Sequence, residues 1–452
     1  MIDLSSCQVD AARLTAFRVL RDVTADDAYA NLALSARLRE SGLTARDAAF
    51  VTELVDGTTR SLGTLDAIVE QASGRQLKPL QPAVVDVLRL GAYQALRMRV
   101  PPHAAVDTSV DLAVTQIGRR VSGIVNAILR RVASSTWDEW LDVLTIGLDD
   151  WDALALRTCH PRWIVDAFAQ VLPADELEAA LDADNEAPRT TLAVRPGLMP
   201  RDDLVVATGG VPARYSPWGV VIDGDPGGVP AVRDGLAGVQ DEGSQLVVLA
   251  AWRAITEAGA TGAWLDLCAG PGGKSALLAG LAGEAFLVAN EAQPHRARLV
   301  ADALRAYPGA GHQVVVADGL SPAWPAAAFG FVLADVPCTG LGSLRRRPEA
   351  RWRRAPADVD TLSAQQARLL KAALQAVKPG GTVAYITCSP HRDETAGVAS
   401  AVAETTGSTI LDAPSFLPDV PECAATDARF VQLWPHRHGT DAMFLALLHK
   451  PK

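Results

Sequence analysis

The stretch Leu265-Asp-Leu-Cys-Ala-Gly-Pro-Gly-Gly-Lys274 reads as an apolar strand entering a glycine-rich turn, with a helix expected over Ser275–Ala282. Glycine tolerates positive φ and lets backbone approach a ligand, while a helix start offers unpaired N–H groups. A nucleotide-shaped ligand is therefore expected here. A phosphate-cradling loop needs glycine five residues before Gly-Lys-Ser, where this chain has Cys268. A dinucleotide fingerprint would take Gly270 and Gly272 but needs a third glycine where Ser275 stands. S-adenosylmethionine, a nicotinamide cofactor and a purely structural turn remain open at this point.

At 452 residues the chain is long for one core, so two or three domains are expected. Its 49% hydrophobic and 21% charged residues describe a globular, soluble protein. No basic leader with an apolar core opens the sequence and no 18-residue apolar run follows, which predicts a cytoplasmic protein without membrane association. The net charge of −10 argues against indiscriminate nucleic-acid binding but leaves room for a local basic groove. None of the six cysteines forms a Cys-x-x-Cys pair or has histidine at zinc-ligand spacing, so no metal is expected. Cys7, Cys159 and Cys423 read as small buried hydrophobes.

Residues 1–140 carry consecutive amphipathic patterns of helical period, broken at Pro101-Pro102, and predict an all-α domain. Residues 150–235 are mixed, with strand-like runs at Arg189–Val194 and Val220–Ile222, and predict a small α/β connecting subdomain. Over 236–452 strands and helices alternate, which predicts parallel strands with a ligand beyond their carboxyl ends. A closing antiparallel hairpin is expected from Phe430–Leu433 and Ala442–Leu447.

Glu291 ends the second strand of that alternation, where a carboxylate can accept both ribose hydroxyls of an adenosine; Asp318 ends the third, in reach of an adenine amine. Each could instead be a loop acid or helix cap. The fourth and fifth strands end in Asp335-Val-Pro-Cys338 and Thr387-Cys-Ser389, which puts Cys338 and Cys388 on loops at one sheet edge beside the glycine turn. Two thiols in one cleft suggest a redox couple or covalent catalysis on a weak carbon nucleophile.

Two resemblances follow. Pro102-His-Ala-Ala-Val-Asp-Thr-Ser-Val-Asp-Leu-Ala113 with Gly123-Ile-Val-Asn-Ala-Ile-Leu-Arg130 resembles the NusB-type helical domain, whose family binds RNA. Acidic and basic residues balance over 1–140, so RNA contact there would need a local face, for which Arg119, Arg120, Arg130 and Arg131 are the candidates. The glycine turn, Asp335-Val-Pro-Cys338, Ser343–Arg354, Thr387-Cys-Ser389 with Glu394, and Leu433-Trp-Pro-His-Arg-His-Gly-Thr-Asp441 together resemble RNA cytosine-C5 methyltransferases of the RsmB (Sun, Fmu) type. The departures are Val336 for the usual alanine and Ala442 where glycine is frequent.

This second resemblance implies an all-α NusB-like domain followed by an α/β class I, Rossmann-like methyltransferase domain. It implies methyl transfer from S-adenosylmethionine to cytosine in 16S ribosomal RNA through a covalent cysteine–cytosine intermediate. By the same correspondence Cys388 is the nucleophile, Cys338 assists release and Asp335 meets the base. The donor would bind along Cys268, Ala269, Gly270, Pro271, Gly272, Gly273 and Lys274, with Glu291, Asp318 and Asp335.

In Leu344–Arg354 six arginines flank one tryptophan, and Arg345, Arg346, Arg347, Arg351, Trp352, Arg353 and Arg354 are expected to face RNA, forks to phosphates and the indole to a base. A solvated charge run is the plainer alternative. His391, His436 and His438 are assigned structural roles. Transfer RNA or another ribosomal site is the competing substrate, disfavoured by the NusB-like domain. A non-catalytic RNA-binding factor would have no use for two motif cysteines.

Overall fold

The computed structural model describes residues 9–452, so the expectation for Cys7 lies outside the described residues. The chain divides into two compact units: the chain up to Asp166 together with Leu344–Arg354, and Ala167–Ser343 together with Ala355–Lys452.

The first unit is helical, with helices at Ala11–Ala25, Ala30–Ser41, Ala45–Arg60, Leu62–Ser73, Pro82–Arg97, Pro102–Gln116, Ser122–Val132, Trp137–Leu144 and Asp150–Arg157. Their ends follow local chemistry. The Asp10 and Thr44 side chains accept the N–H groups of Arg13 and Asp47, and Pro82 and Pro102 open helices in which their missing N–H costs nothing. Phe17, Leu20, Leu54, Leu65, Ile68 and Leu88 form the core. Trp137, Leu141 and Cys159 join the same core, which is why the unit runs on to Asp166 instead of stopping at 140.

The second unit contains two sheets. The smaller is antiparallel in the order β2-β3-β1-β4, built from β1 (Thr190–Val194), β2 (Val211–Pro212), β3 (Gly219–Ile222) and β4 (Ala237–Val239). Leu192 and Val194 of β1 pair with Val239 and Ala237 of β4, so this sheet straddles the expected boundary at 235 and 236. The larger sheet has the order β10-β12-β9-β8-β5-β6-β7, with β11 on β12. Its strands are β5 (Trp264–Asp266), β6 (Leu287–Asn290), β7 (His312–Val315), β8 (Phe329–Asp335), β9 (Val377–Thr387), β10 (Thr409–Ile410), β11 (Val431–Gln432) and β12 (Phe444–His449).

Strands β5 to β9 are parallel, while β12 runs antiparallel to β9 and to β11 in the expected hairpin. Crossover helices Gly273–Leu281, Pro294–Leu304 and Pro356–Ala376 cover the sheet, and β8 is buried through its first six residues. The parallel strands end together, so the turns after β5, β6, β8 and β9 share one edge.

Candidate active site

The glycine turn sits between β5 and helix Gly273–Leu281. Gly272 has φ +108°, and a Cβ there would stand 2.6 Å from Ala303 Cβ and 2.9 Å from Val300 Cα. A Cβ at Gly270 would run into the Glu291 carboxylate. Both positions thus demand glycine, one for conformation and crowding and the other for crowding alone.

Glu291 is held at the end of β6: Oε2 accepts the Gly270 N–H at 3.0 Å and Oε1 that of Gln293 at 2.9 Å. Each carboxylate oxygen keeps a second lone pair for a ligand hydroxyl. Arg296 clamps the same turn, donating to Gly270 O at 2.6 Å. Asp318 is exposed just past β7, and its Oδ1 accepts the Leu320 N–H at 2.9 Å as a turn cap. Beneath the turn, Ser275 Oγ donates to Asp266 Oδ2 at 2.6 Å. Burial pushes the Asp266 carboxyl up to about 7, against the opposing pull of that hydrogen bond.

Lys274 reaches from the turn to the end of β8, where Nζ donates to Asp335 Oδ2 at 2.7 Å. Burial favours the neutral amine there, but Asp335 outweighs it and raises the Lys274 pKa. Three residues on, Cys338 Sγ lies 3.3 Å from Cys388 Sγ, at the ends of the adjacent strands β8 and β9. The hydrogen bond to Cys388 and then burial hold the Cys338 thiol well above its ordinary pKa. Burial, with Asp266, Asp335 and Glu291 nearby, does the same for Cys268. The glycine turn, Glu291, Lys274, Asp335 and the two thiols therefore meet at one sheet edge.

Behind the thiols lies a buried network that sequence reasoning did not assemble. The Glu394 carboxylate, 0% exposed, accepts Thr339 N at 2.8 Å, Ser389 Oγ at 2.7 Å, Gln366 Nε2 at 3.0 Å and the Thr339 hydroxyl. The available signal was Gln366, a polar residue in the buried stripe Val359, Leu369, Leu370 and Ala373 of helix Pro356–Ala376.

The histidines have structural partners. His438 Nδ1 accepts the Trp434 N–H at 2.9 Å, so its proton sits on Nε2 and is donated to Pro421 O at 2.9 Å. His436 and Arg437 both hold Glu176, and His391 Nδ1 accepts the Asp393 N–H. Among the described residues no group of three or more His, Cys, Asp or Glu could hold a metal ion, and no helix is long and apolar enough to cross a membrane.

The arginine–tryptophan run departs most from expectation, because it packs within the helical unit. Arg353 donates to the carbonyls of Val23, Asp27 and Ala28 at 2.7, 3.0 and 2.6 Å, and Trp352 Nε1 to Thr59 O at 2.8 Å. Arg351, 0% exposed, donates to Cys159 O at 3.0 Å. Val23 and Thr59 lie in the last turns of helices Ala11–Ala25 and Ala45–Arg60, where no intrahelical donor is available, and Asp27, Ala28 and Cys159 lie just past the ends of helices Ala11–Ala25 and Asp150–Arg157. The run caps three helices. Arg345 is buried as well, Arg346 and Arg354 are half-buried, and Arg347 is exposed over the Tyr29 ring. Arg119, Arg120, Arg130 and Arg131 are exposed, but as two pairs at opposite ends of helix Ser122–Val132, roughly 15 Å apart by helical rise.

Comparison with known proteins agrees with this architecture. Residues 255–449 match the family model described as 16S rRNA methyltransferase RsmB/F, and residues 10–134 match the NusB family. The chain is 48% identical to the putative methyltransferase Rv1407 of Mycobacterium tuberculosis, over 98% of this chain and 97% of that protein. It is 31% identical to ribosomal RNA small subunit methyltransferase B of Cronobacter sakazakii, over 77% of this chain and 80% of the other. Among solved structures, PH0851 superposes with a TM-score of 0.81 at 20% identity, covering 97% of this chain and 98% of its own, a likeness of fold. Helical unit, parallel sheet and relatives along nearly the whole length agree: the chain belongs to the RsmB/F family of 16S rRNA methyltransferases.

Proposed function

We propose that this methyltransferase moves a methyl group from S-adenosylmethionine to carbon 5 of a cytosine in 16S ribosomal RNA, in the cytoplasm, with Cys388 as covalent nucleophile. The carrying observation is the 3.3 Å approach of Cys338 and Cys388 sulfurs at the ends of adjacent strands, one strand from the glycine turn.

The edge residues suit the donor. Acceptors stand after β6 and β7 in Glu291 and Asp318, where an adenosine presents ribose hydroxyls and an amine, and glycine lets the turn close on Glu291. Cys268 to Lys274 would line the same ligand. When bound, the donor supplies an electrophilic methyl group.

Carbon 5 of cytosine is a poor nucleophile, so electron density must first be pushed onto it. The Cys388 thiolate forms a sulfur bond to carbon 6, and the carbon 5–carbon 6 π pair becomes available at carbon 5 for the methyl. Asp335, steadied by Lys274, hydrogen-bonds the base and supports its protonation as charge builds. Release requires a base to take the carbon-5 proton; the freed pair re-forms the double bond and the carbon 6–sulfur bond breaks back to the Cys388 thiolate.

Cys338 is suited to that later step by what holds its proton in the resting enzyme. The first cause is the hydrogen bond to Cys388. Once Cys388 is a thioether its negative charge is gone, which removes the first of the causes that hold the Cys338 proton and favours its loss to solvent ahead of the base step.

RNA affinity is assigned to the helical unit and to those arginines of the run that packing does not consume, Arg347 foremost. The test uses unmodified 16S RNA with the Cys388→Ala, Cys338→Ala and double variants. Cys338→Ala should accumulate a protein–RNA adduct that survives denaturing electrophoresis, and the other two should form none. An adduct on Cys388→Ala would reverse the assignment, and mapping the methylated base would separate 16S RNA from transfer RNA.

A further inference from the structure

We infer that Glu394 is a positioning residue that locks the two thiol loops together in register; this rests on the covalent reading above. Glu394 acts on the thiols through their neighbours in sequence. Thr339 directly follows Cys338, and Ser389 directly follows Cys388. Both residues donate into the one carboxylate: Thr339 N at 2.8 Å to Oε1, Ser389 Oγ at 2.7 Å to Oε2, and the Thr339 hydroxyl to Oε2.

Gln366 completes the set, giving its amide to Glu394 Oε1 at 3.0 Å and to Pro337 O, just before Cys338, at 2.9 Å. Two donors on each oxygen use all four lone pairs of a carboxylate. The Tyr385 hydroxyl, from within β9, also fixes the Glu394 carbonyl at 2.7 Å.

An anion buried this deeply is costly unless compensated. Its compensation comes from charge-assisted hydrogen bonds, and three of those four donors belong to the two cysteine loops, Gln366 of helix Pro356–Ala376 being the fourth. Loop register and charge burial are thus one requirement: moving either loop strips a donor from a buried carboxylate. The charge also acts through space, since Glu394 is one of the groups that hold the Cys338 thiol protonated, after Cys388 and burial. A protonated Cys338 can donate to a Cys388 thiolate and does not compete with it for carbon 6.

The test compares full-length wild type with Glu394→Gln and Glu394→Ala. Readouts are S-adenosylmethionine affinity by calorimetry, single-turnover methyl transfer to unmodified 16S RNA, and the pH profile of Cys338 alkylation by iodoacetamide. Donor affinity should stay within about twofold, because Glu394 serves the thiol loops and not the glycine turn. Alanine leaves two N–H donors unsatisfied and should slow transfer on the order of a hundredfold, the scale of an ångström-sized misplacement. Glutamine can keep its oxygen toward the N–H donors while the two hydroxyls rotate to accept, and should cost about tenfold. With the charge removed, alkylation of Cys338 in Glu394→Gln should set in at lower pH.

Wild-type rates in both variants, or a slow Glu394→Gln with an unmoved alkylation profile, overturn the inference. Should Glu394→Ala fail to fold, Ser389→Ala takes its place, with transfer slowed and donor affinity kept; an unslowed Ser389→Ala counts against the inference. Cys388→Ala runs alongside. If it still methylates, the covalent reading itself falls; if it is dead while Glu394 variants are normal, only the role of Glu394 falls.

Discussion

Two regions of this molecule carry residues that look functional in sequence, and the fold uses them in opposite ways. The Cys338 and Cys388 loops bring two sulfurs to 3.3 Å at a sheet edge, whereas Leu344–Arg354 spends its guanidinium and indole groups on carbonyls at and just past helix ends. The difference lies in what each side chain can satisfy. A fork of N–H donors fits a phosphate and the carbonyls at a helix C-terminus equally well, and an indole can stack on a base or fill a gap beside glycine, as Trp352 does against Gly63. Arginine and tryptophan therefore announce that something with acceptors is near, without saying whether it is RNA or the protein's own backbone. Two thiols flanked by a shared buried carboxylate have fewer uses.

The largest expected effect tests the thiol loop. Cys388→Ala should abolish methyl transfer while leaving donor affinity and the unfolding midpoint close to wild type, since Cys388 is half-buried and its loss removes little packing. Transfer to 16S RNA, calorimetry and a urea melt check the three parts. A variant that loses donor binding as well would mean that the two sites are one rigid piece.

Next in size is the other loop. Trp352→Ala deletes a half-buried ring packed against Gly63 and leaves Thr59 O without its donor, a loss of about 2–3 kcal/mol, below the range for fully buried aromatics. Urea denaturation followed in the helical unit should show it. If stability is untouched and RNA affinity falls, the run faces RNA after all.

A pH effect should accompany the same loop, because Glu349 lies within it and its carboxylate oxygens are buried without hydrogen-bond partners. Burial lifts nearby Asp56 to about 6 from its ordinary 3.8, Glu349 and Glu53 adding to the shift and Arg60 opposing it. With the folded pKa raised, the native state keeps a proton that the unfolded chain has already released. Stability should therefore fall as pH rises from about 4 to about 6 and then level off, by roughly 3 kcal/mol at most. Asp56→Asn should flatten that slope in a pH series of urea melts; a slope unchanged in the variant would assign it to another group.

Legibility followed the same division. Strand–turn–helix alternation located the parallel sheet, and strand ends located Glu291, Asp335, Cys338 and Cys388, because in such a sheet the strand ends are the binding edge. The boundary at 140 was not legible, since Trp137, Leu141 and Cys159 look the same in sequence whichever core they enter. Nor was the boundary at 235, because nothing local tells Ala237–Val239 that it will pair with β1. The Glu394 network was half legible: the carboxylate stood beside a recognisable motif, but its donors come from positions 339, 366 and 389, which only the fold brings together.

The smallest expected effect concerns what the run has left for RNA. Arg347 is exposed and lies 5.6 Å from the Tyr29 ring centroid, a contact that holds the guanidinium over an aromatic face while leaving its donors toward solvent. Capping consumes Arg351 and Arg353, so a phosphate contact from this loop falls first to Arg347. Arg347→Ala should leave stability within about 0.5 kcal/mol, the usual range for an exposed substitution. Its signature is electrostatic: losing one phosphate contact should lower the slope of log affinity against log salt by about 0.7 to 0.9, with nearly equal loss for any RNA sequence. Arg353→Ala should do the reverse, lowering stability and leaving the slope alone. If both variants change the slope alike, the loop leaves its caps on RNA and serves both purposes in turn; if neither does, RNA is held elsewhere, with the pairs Arg119/Arg120 and Arg130/Arg131 the next to substitute.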